Sequence, residues 1–154
     1  MSAILKPAGE LRPMAEADLP AVMAIEADIY AFPWSHGNFR DSLAAGYRCR
    51  IYHARGVELI GYSVVMMAAD EAHLLNLSIA AARQRQGYGS TLLKRLCDTA
   101  RGDGARLIFL EVRPSNVGGL RLYERHGFQR VGIRGGYYPA PQGREDALIY
   151  SLPL

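Results

Sequence analysis

Gln84-Arg85-Gln86-Gly87-Tyr88-Gly89-Ser90 is the stretch on which the reading of this chain turns. Ahead of it lies an apolar run, His73 to Ile79, that reads as a central strand. Behind it Gly89, Leu92, Leu93, Leu96, Cys97 and Ala100 fall on one face of a long helix, which Gly102 and Gly104 stop. A helix start carries unsatisfied N–H groups and partial positive charge, and so binds phosphate well. Gly87 and Gly89 keep side chains off an approaching pyrophosphate, and Arg83 and Arg85 add charge nearby. The segment is neither of the two better-known phosphate loops: Leu92 stands where the dinucleotide pattern needs a third glycine, and the lysine of the other loop is missing. Spacing alone leaves phosphate binding level with a sharp turn flanked by solvated arginines.

Nearer the N-terminus, Arg12 and Pro13 end a short first strand, and a helix follows from about Glu16, with Pro20 tolerable in its first turn. In Phe32-Pro33-Trp34-Ser35, Ser35 is a good N-cap and Trp34 can staple onto Phe39, which predicts a second helix through Leu43. Arg48 to Ala54 and Leu59 to Met67 read as strands joined by a turn at Arg55-Gly56. Leu107 to Val112 is a buried strand, Asn116 to about Arg125 a helix closed by Gly127, and two last strands run near Phe128 to Tyr138 and Asp146 to Leu152. The order predicts an α/β domain with a mixed sheet, because strand-helix-strand units sit beside hairpins. It does not repeat βα regularly enough for a doubly wound sheet.

The 154 residues are enough for one domain with a real core, and 49% hydrophobic against 21% charged is a globular balance. No internal repeat or linker divides them. No stretch approaches the roughly 20 apolar residues of a membrane span, and Met1 to Glu10 lacks a signal-peptide layout, so the expected location is the cytoplasm. Cys49 and Cys97 form no ligand spacing; both read as small buried residues, with no metal site and no disulfide. Of the 18 basic residues only Lys6 and Lys94 are lysines, but no basic run marks a nucleic-acid module. The four histidines are scattered, with no nucleophilic triad.

Gln84-x-x-Gly87-x-Gly89 in this element order resembles the signature of the GNAT superfamily of N-acetyltransferases. Leu110-Glu111-Val112-Arg113-Pro114-Ser115-Asn116, Leu122-Tyr123-Glu124 and Gly127-Phe128 look like the second half of that core. Phe32-Pro33-Trp34-Ser35, Leu75-Asn76-Leu77-Ser78-Ile79, Tyr137-Tyr138-Pro139 and Gly143-Arg144-Glu145-Asp146-Ala147 are similar to the bacterial ribosomal-protein-alanine N-acetyltransferases, the RimI family. The likeness runs from about Arg12 to Leu152. It implies a GNAT fold of about seven strands and four helices. It also implies acetyl-CoA as cosubstrate, no metal, a ribosomal-protein N-terminus as substrate, no direct nucleic-acid or membrane binding, and a monomer.

The resemblance further implies roles for particular residues. The coenzyme's pyrophosphate would rest on the backbone amides of the Gln84, Arg85, Gln86, Gly87, Tyr88, Gly89 and Ser90 segment. Its pantetheine arm would pair with the backbone of Leu77, Ser78 and Ile79 at a bulge, and Asn116 would contact it from the other side. Glu111 matches the general base and Tyr123 the general acid. The peptide is expected at Phe32, Trp34, Tyr137 and Tyr138. Each has a plainer alternative. Glu111 could be a surface carboxylate paired with an arginine, Tyr123 a core aromatic, and the two tyrosines a two-sided strand with one ring buried. Glu26 interrupts an apolar helix face and reads as solvated, or as a partner for a substrate amine. Gly118 and Gly119 stand where relatives often carry alanine, which predicts a looser helix. Acetylation of a lysine, polyamine or other small amine, and a catalytically inactive acyl-CoA-binding or protein-interaction module, are the competing functions.

Overall fold

The computed structural model describes residues 9–54 and 58–154; the turn expected at Arg55-Gly56 lies outside them. In chain order the elements are β1 (Glu10–Pro13), a 3-10 turn (Glu16–Asp18), α1 (Leu19–Ile29), α2 (His36–Ala44), β2 (Arg48–His53), β3 (Leu59–Ala68) and β4 (Glu71–Ile79). A second 3-10 turn (Ala81–Arg83) leads to α3 (Tyr88–Gly102), β5 (Leu107–Val112), α4 (Val117–Arg125), β6 (Gln129–Ala140) and β7 (Gly143–Pro153). The seven strands lie in the order β1-β2-β3-β4-β5-β7-β6. β4 and β5 are parallel while β1/β2, β5/β7 and β6/β7 are antiparallel, so the sheet is mixed, as expected. Contacts divide the chain into two units: residues up to Val64 with Asn76–Tyr88, and Val65–Leu75 with Gly89–Leu154.

The first unit buries Leu19, Val22, Phe39, Ile51, Tyr52, Ile60 and Tyr62. Pro20 falls in the first turn of α1, where its missing N–H costs nothing. α2 begins as its sequence dictates. Ser35 Oγ accepts from Asn38 N–H at 3.1 Å, Asn38 Oδ1 accepts from Ser35 N–H at 2.9 Å, and the Trp34 ring packs on Phe39 at 5.1 Å. Phe39 is fully buried and meets the edge of Tyr62 at 5.8 Å. Gly61 is obligatory, because a Cβ there would collide with the Ser78 carbonyl oxygen and Ile79.

In the second unit α3 buries Leu92, Leu93, Leu96, Cys97 and Ala100, the stripe foreseen from its spacing. β5 alternates cleanly: Ile108, Leu110 and Val112 are buried, while Phe109 and Glu111 share the other face. The last two strands run further than their sequence suggested, with Pro139 opposite Arg144 and Ala140 opposite Gly143. Their register jumps between Arg134 and Tyr138. Asp146 Oδ1 takes the Gly136 N–H at 2.9 Å in place of a strand partner, and Gly136 adopts φ +57°. This bulge hid the pairing, since an interrupted ladder has no period of two. Cys49 and Cys97 are buried free thiols, and burial pushes both above the ordinary thiol range. Among the described residues no helix is long and apolar enough to cross a membrane, and no group of three or more His, Cys, Asp or Glu could hold a metal ion.

Candidate active site

The expected coenzyme segment follows β4 after the second 3-10 turn, with Gln84 to Tyr88 in the first unit and Gly89 and Ser90 in the second. Gln84 Nε2 donates to the Ile79 carbonyl at 3.0 Å and Gln86 Nε2 to the Ala82 carbonyl at 3.0 Å. Both glutamines thus spend side-chain donors on pinning the turn. Arg85 (φ +60°) and Gly87 (φ +85°) are left-handed, and backbone curled by such residues forms concavities that bind anions. A non-glycine residue in this region is uncommon and marks a turn the surroundings enforce. These features fit a pyrophosphate, and Arg83 lies nearby in sequence with its guanidinium 3.7 Å from Glu58. Ser90, in the first turn of α3, contacts His126 Nε2 at 3.0 Å. Burial, aided by Arg125 and Lys94, holds this imidazole below its ordinary value.

On β4, Leu77 and Ile79 are half-exposed while Asn76 and Ser78 point into the interior. There they join a polar network that the sequence did not reveal. Tyr30 Oη lies 2.7 Å from Ser78 Oγ and 3.3 Å from the Leu77 carbonyl. Ser78 Oγ donates to Asn76 Oδ1 at 2.6 Å, and Asn76 Nδ2 donates to Glu26 Oε1 at 3.1 Å. Tyr62 Oη donates to the same oxygen at 2.7 Å, and Trp34 N–H to Glu26 Oε2 at 2.9 Å. Glu26 is therefore neither solvated nor open to a substrate amine; it is 2% exposed and holds three hydrogen bonds. Burial pushes the Tyr30 phenol up to about 12 and Tyr62 higher, with the Glu26 charge adding to both. Of the expected peptide residues in this unit, Phe32 is exposed and Trp34 half-buried.

In the second unit Glu111 sits on β5 opposite Ile149 of β7, its side chain 12% exposed and Oε1 3.4 Å from Arg134 Nη2. An arginine partner is present, as the plainer alternative required, but the carboxylate is covered and not a surface group. His73 of β4 stacks on Phe109 at 4.3 Å, on the face of β5 that carries Glu111. Burial holds His73 below its ordinary value, opposed by Glu111 and assisted by Arg134. Arg134 also lies over the Tyr137 ring at 4.8 Å. Sequence gave no signal for Arg134, one arginine among many.

Tyr137 and Tyr138 meet edge to face at 5.0 Å. Tyr137 is exposed on the bulge and Tyr138 half-buried, so the strand is two-sided and still presents one ring to solvent. Burial pushes the Tyr138 phenol up to about 12, with Glu111 adding. Arg113 lies over the Tyr138 ring at 4.3 Å and donates to the Pro139 carbonyl at 2.6 Å. Glu145 accepts from Arg113, from Ser115 N–H and from Ser115 Oγ, tying the hairpin to the loop before α4. Asn116 caps that helix through Gly119 N–H at 3.0 Å. Tyr123 is buried in α4 with its ring against Phe128 at 5.6 Å.

Comparison with known proteins agrees with this architecture. The acetyltransferase (GNAT) family model matches residues 19–128. The [ribosomal protein bS18]-alanine N-acetyltransferase of Escherichia coli (strain K12) is 38% identical over 137 residues, covering 89% of this chain and 92% of the relative. The enzyme of that name from Haemophilus influenzae is 34% identical over 138 residues, covering 89% and 93%. The crystal structure of the ribosomal-protein-S18-alanine N-acetyltransferase from Escherichia coli superimposes with a TM-score of 0.87 at 36% identity, covering 95% of this chain and 94% of that one. The chain therefore belongs to the acetyltransferase (GNAT) family, and within it is similar to the ribosomal-protein-alanine N-acetyltransferases.

Proposed function

We propose that this protein acetylates the N-terminal α-amino group of a small-subunit ribosomal protein beginning with alanine, using acetyl-CoA. The observation that carries the reading is the 38% identity, over most of both chains, to an enzyme named for that reaction on bS18. With a ribosomal substrate the enzyme would work in the cytoplasm. Acetyl-CoA would supply the acetyl group as a thioester, its carbon taking the amine and releasing the thiolate. Backbone amides of the turn from Gln84 to Ser90 would hold the pyrophosphate, the strand edge at Leu77, Ser78 and Ile79 the pantetheine arm, and Asn116 Nδ2 a further polar contact.

Glu111 takes a proton from the attacking amine, directly or through a water, and Tyr123 gives one to the departing sulfur. An α-amino group with a pKa near 8 is about a tenth neutral at pH 7, while a lysine is neutral at well under about 0.1%. An N-terminal amine therefore asks less of the base than a lysine does. Phe32, Trp34, Tyr137 and Tyr138 would receive the peptide.

Release of free coenzyme thiol on adding a peptide with an N-terminal alanine tests the roles. Glu111→Gln should lower kcat by about 10²–10⁴-fold while leaving acetyl-CoA affinity within about twofold. Tyr123→Phe should lower kcat in the same assay with coenzyme still bound. Undiminished turnover in Glu111→Gln would remove that residue as the base.

A further inference from the structure

Among the described residues Glu26 is the only charged side chain in the buried core. An apolar residue of similar size would fill such a place at less cost in desolvation, so what this carboxylate joins is informative. Its two oxygens gather donors from β3 (Tyr62), from β4 (Asn76) and from the segment that carries Phe32 and Trp34. The network also has a direction. Asn76 Nδ2 faces the carboxylate, so its Oδ1 takes the single Ser78 hydroxyl proton, and Tyr30 must then donate to Ser78 Oγ. From Tyr30 through Ser78 and Asn76 the short bonds run toward Glu26, and the longer 3.3 Å contact of Tyr30 Oη with the Leu77 carbonyl leaves the chain.

We propose that Glu26 is a positioning residue for the peptide substrate: through the Trp34 N–H its carboxylate fixes where the Phe32–Trp34 loop stands against β4. The proposal rests on the reading that this loop receives the peptide. Glu26→Gln separates the tether from the rest of the network. Oε1 serves two donors and Oε2 one, so the single carbonyl of glutamine stays with Tyr62 and Asn76. Its NH2 then faces the Trp34 N–H, donor against donor. Turning Asn76 instead would reverse the chain to end on the Leu77 carbonyl, 3.3 Å from Tyr30 Oη, and would cost Tyr62 Oη the acceptor it has on Glu26.

Trp34 is the single tryptophan, so its fluorescence reports this loop without any need for turnover. In folded Glu26→Gln, acrylamide should quench Trp34 more steeply. Peptide KM should rise about tenfold with kcat and acetyl-CoA affinity within about twofold. Tyr62→Phe, which removes a donor but leaves the tether, should quench like the wild type. Unchanged quenching in Glu26→Gln, or steeper quenching with an unchanged peptide KM, overturns the proposal. A wild-type protein that acetylates no peptide would instead defeat the proposed reaction, and the quenching comparison would still decide the tether.

Discussion

Ser63 shows how single side chains report on this interior. Its hydroxyl is buried in β3 with no hydrogen-bond partner among the described residues. A lone buried hydroxyl gains nothing and has lost its water, so Ser63→Ala should leave stability unchanged or raise it by up to about 1 kcal/mol. Urea unfolding measures this, and a loss of more than about 1 kcal/mol would mean that the hydroxyl has a partner. Glu26 is the opposite case: one buried group that holds three hydrogen bonds. Its position on the apolar side of a helix was visible in the sequence. Its partners were not, since Tyr62 and Asn76 lie 36 and 50 residues away. Local pattern registers that a polar residue is out of place and not what satisfies it.

At the scale of elements, legibility followed the range of the forces. The start of α2 was readable because Ser35, Asn38, Trp34 and Phe39 act within a few residues of one another. The end of the β6–β7 hairpin was not, because Asp146 replaces a ladder bond across the bulge. α4 corrects the simple propensity argument. A Cβ at Gly118 meets nothing within 4 Å, whereas one at Gly119 would come within 2.6 Å of the Asn116 side chain that caps the helix. Gly118→Ala should therefore stabilise by about 0.5 kcal/mol. Gly119→Ala should displace Asn116 and cost about 1 kcal/mol through the lost cap. Thermal melts of the two variants should move in opposite directions, and equal shifts would remove the steric account of Gly119.

Across the whole molecule, acid stability is set by carboxylates that are paired in the native state. Arg12 donates to both oxygens of Asp18 at 2.8 and 2.6 Å and Ala15 N–H adds a bond at 2.7 Å. The Arg12 guanidinium foremost holds this carboxyl below the usual range, against some burial. A depressed folded-state pKa means the unfolded chain binds the proton first. The stabilisation is thus present above the ordinary carboxylate pKa and lost as pH falls through the folded-state value. Asp18→Asn should cost under about 1 kcal/mol at pH 7, since Arg12 is partly exposed, and the gap to wild type should close in acid. A gap that stays constant from neutral to acid pH would contradict the linkage. The α/β class, the mixed sheet and the family were all legible because they rest on element order and local motifs. Which amine is acetylated can be read from mass spectrometry of one reaction. Acetyl-CoA would be offered two peptides together, one with a free N-terminal alanine, the other with a blocked N-terminus and an internal lysine. Acetyl should appear on the alanine amine alone and be lost in Glu111→Gln; acetyl on the lysine alone, or on neither peptide while the coenzyme binds, would contradict N-terminal alanine acetylation.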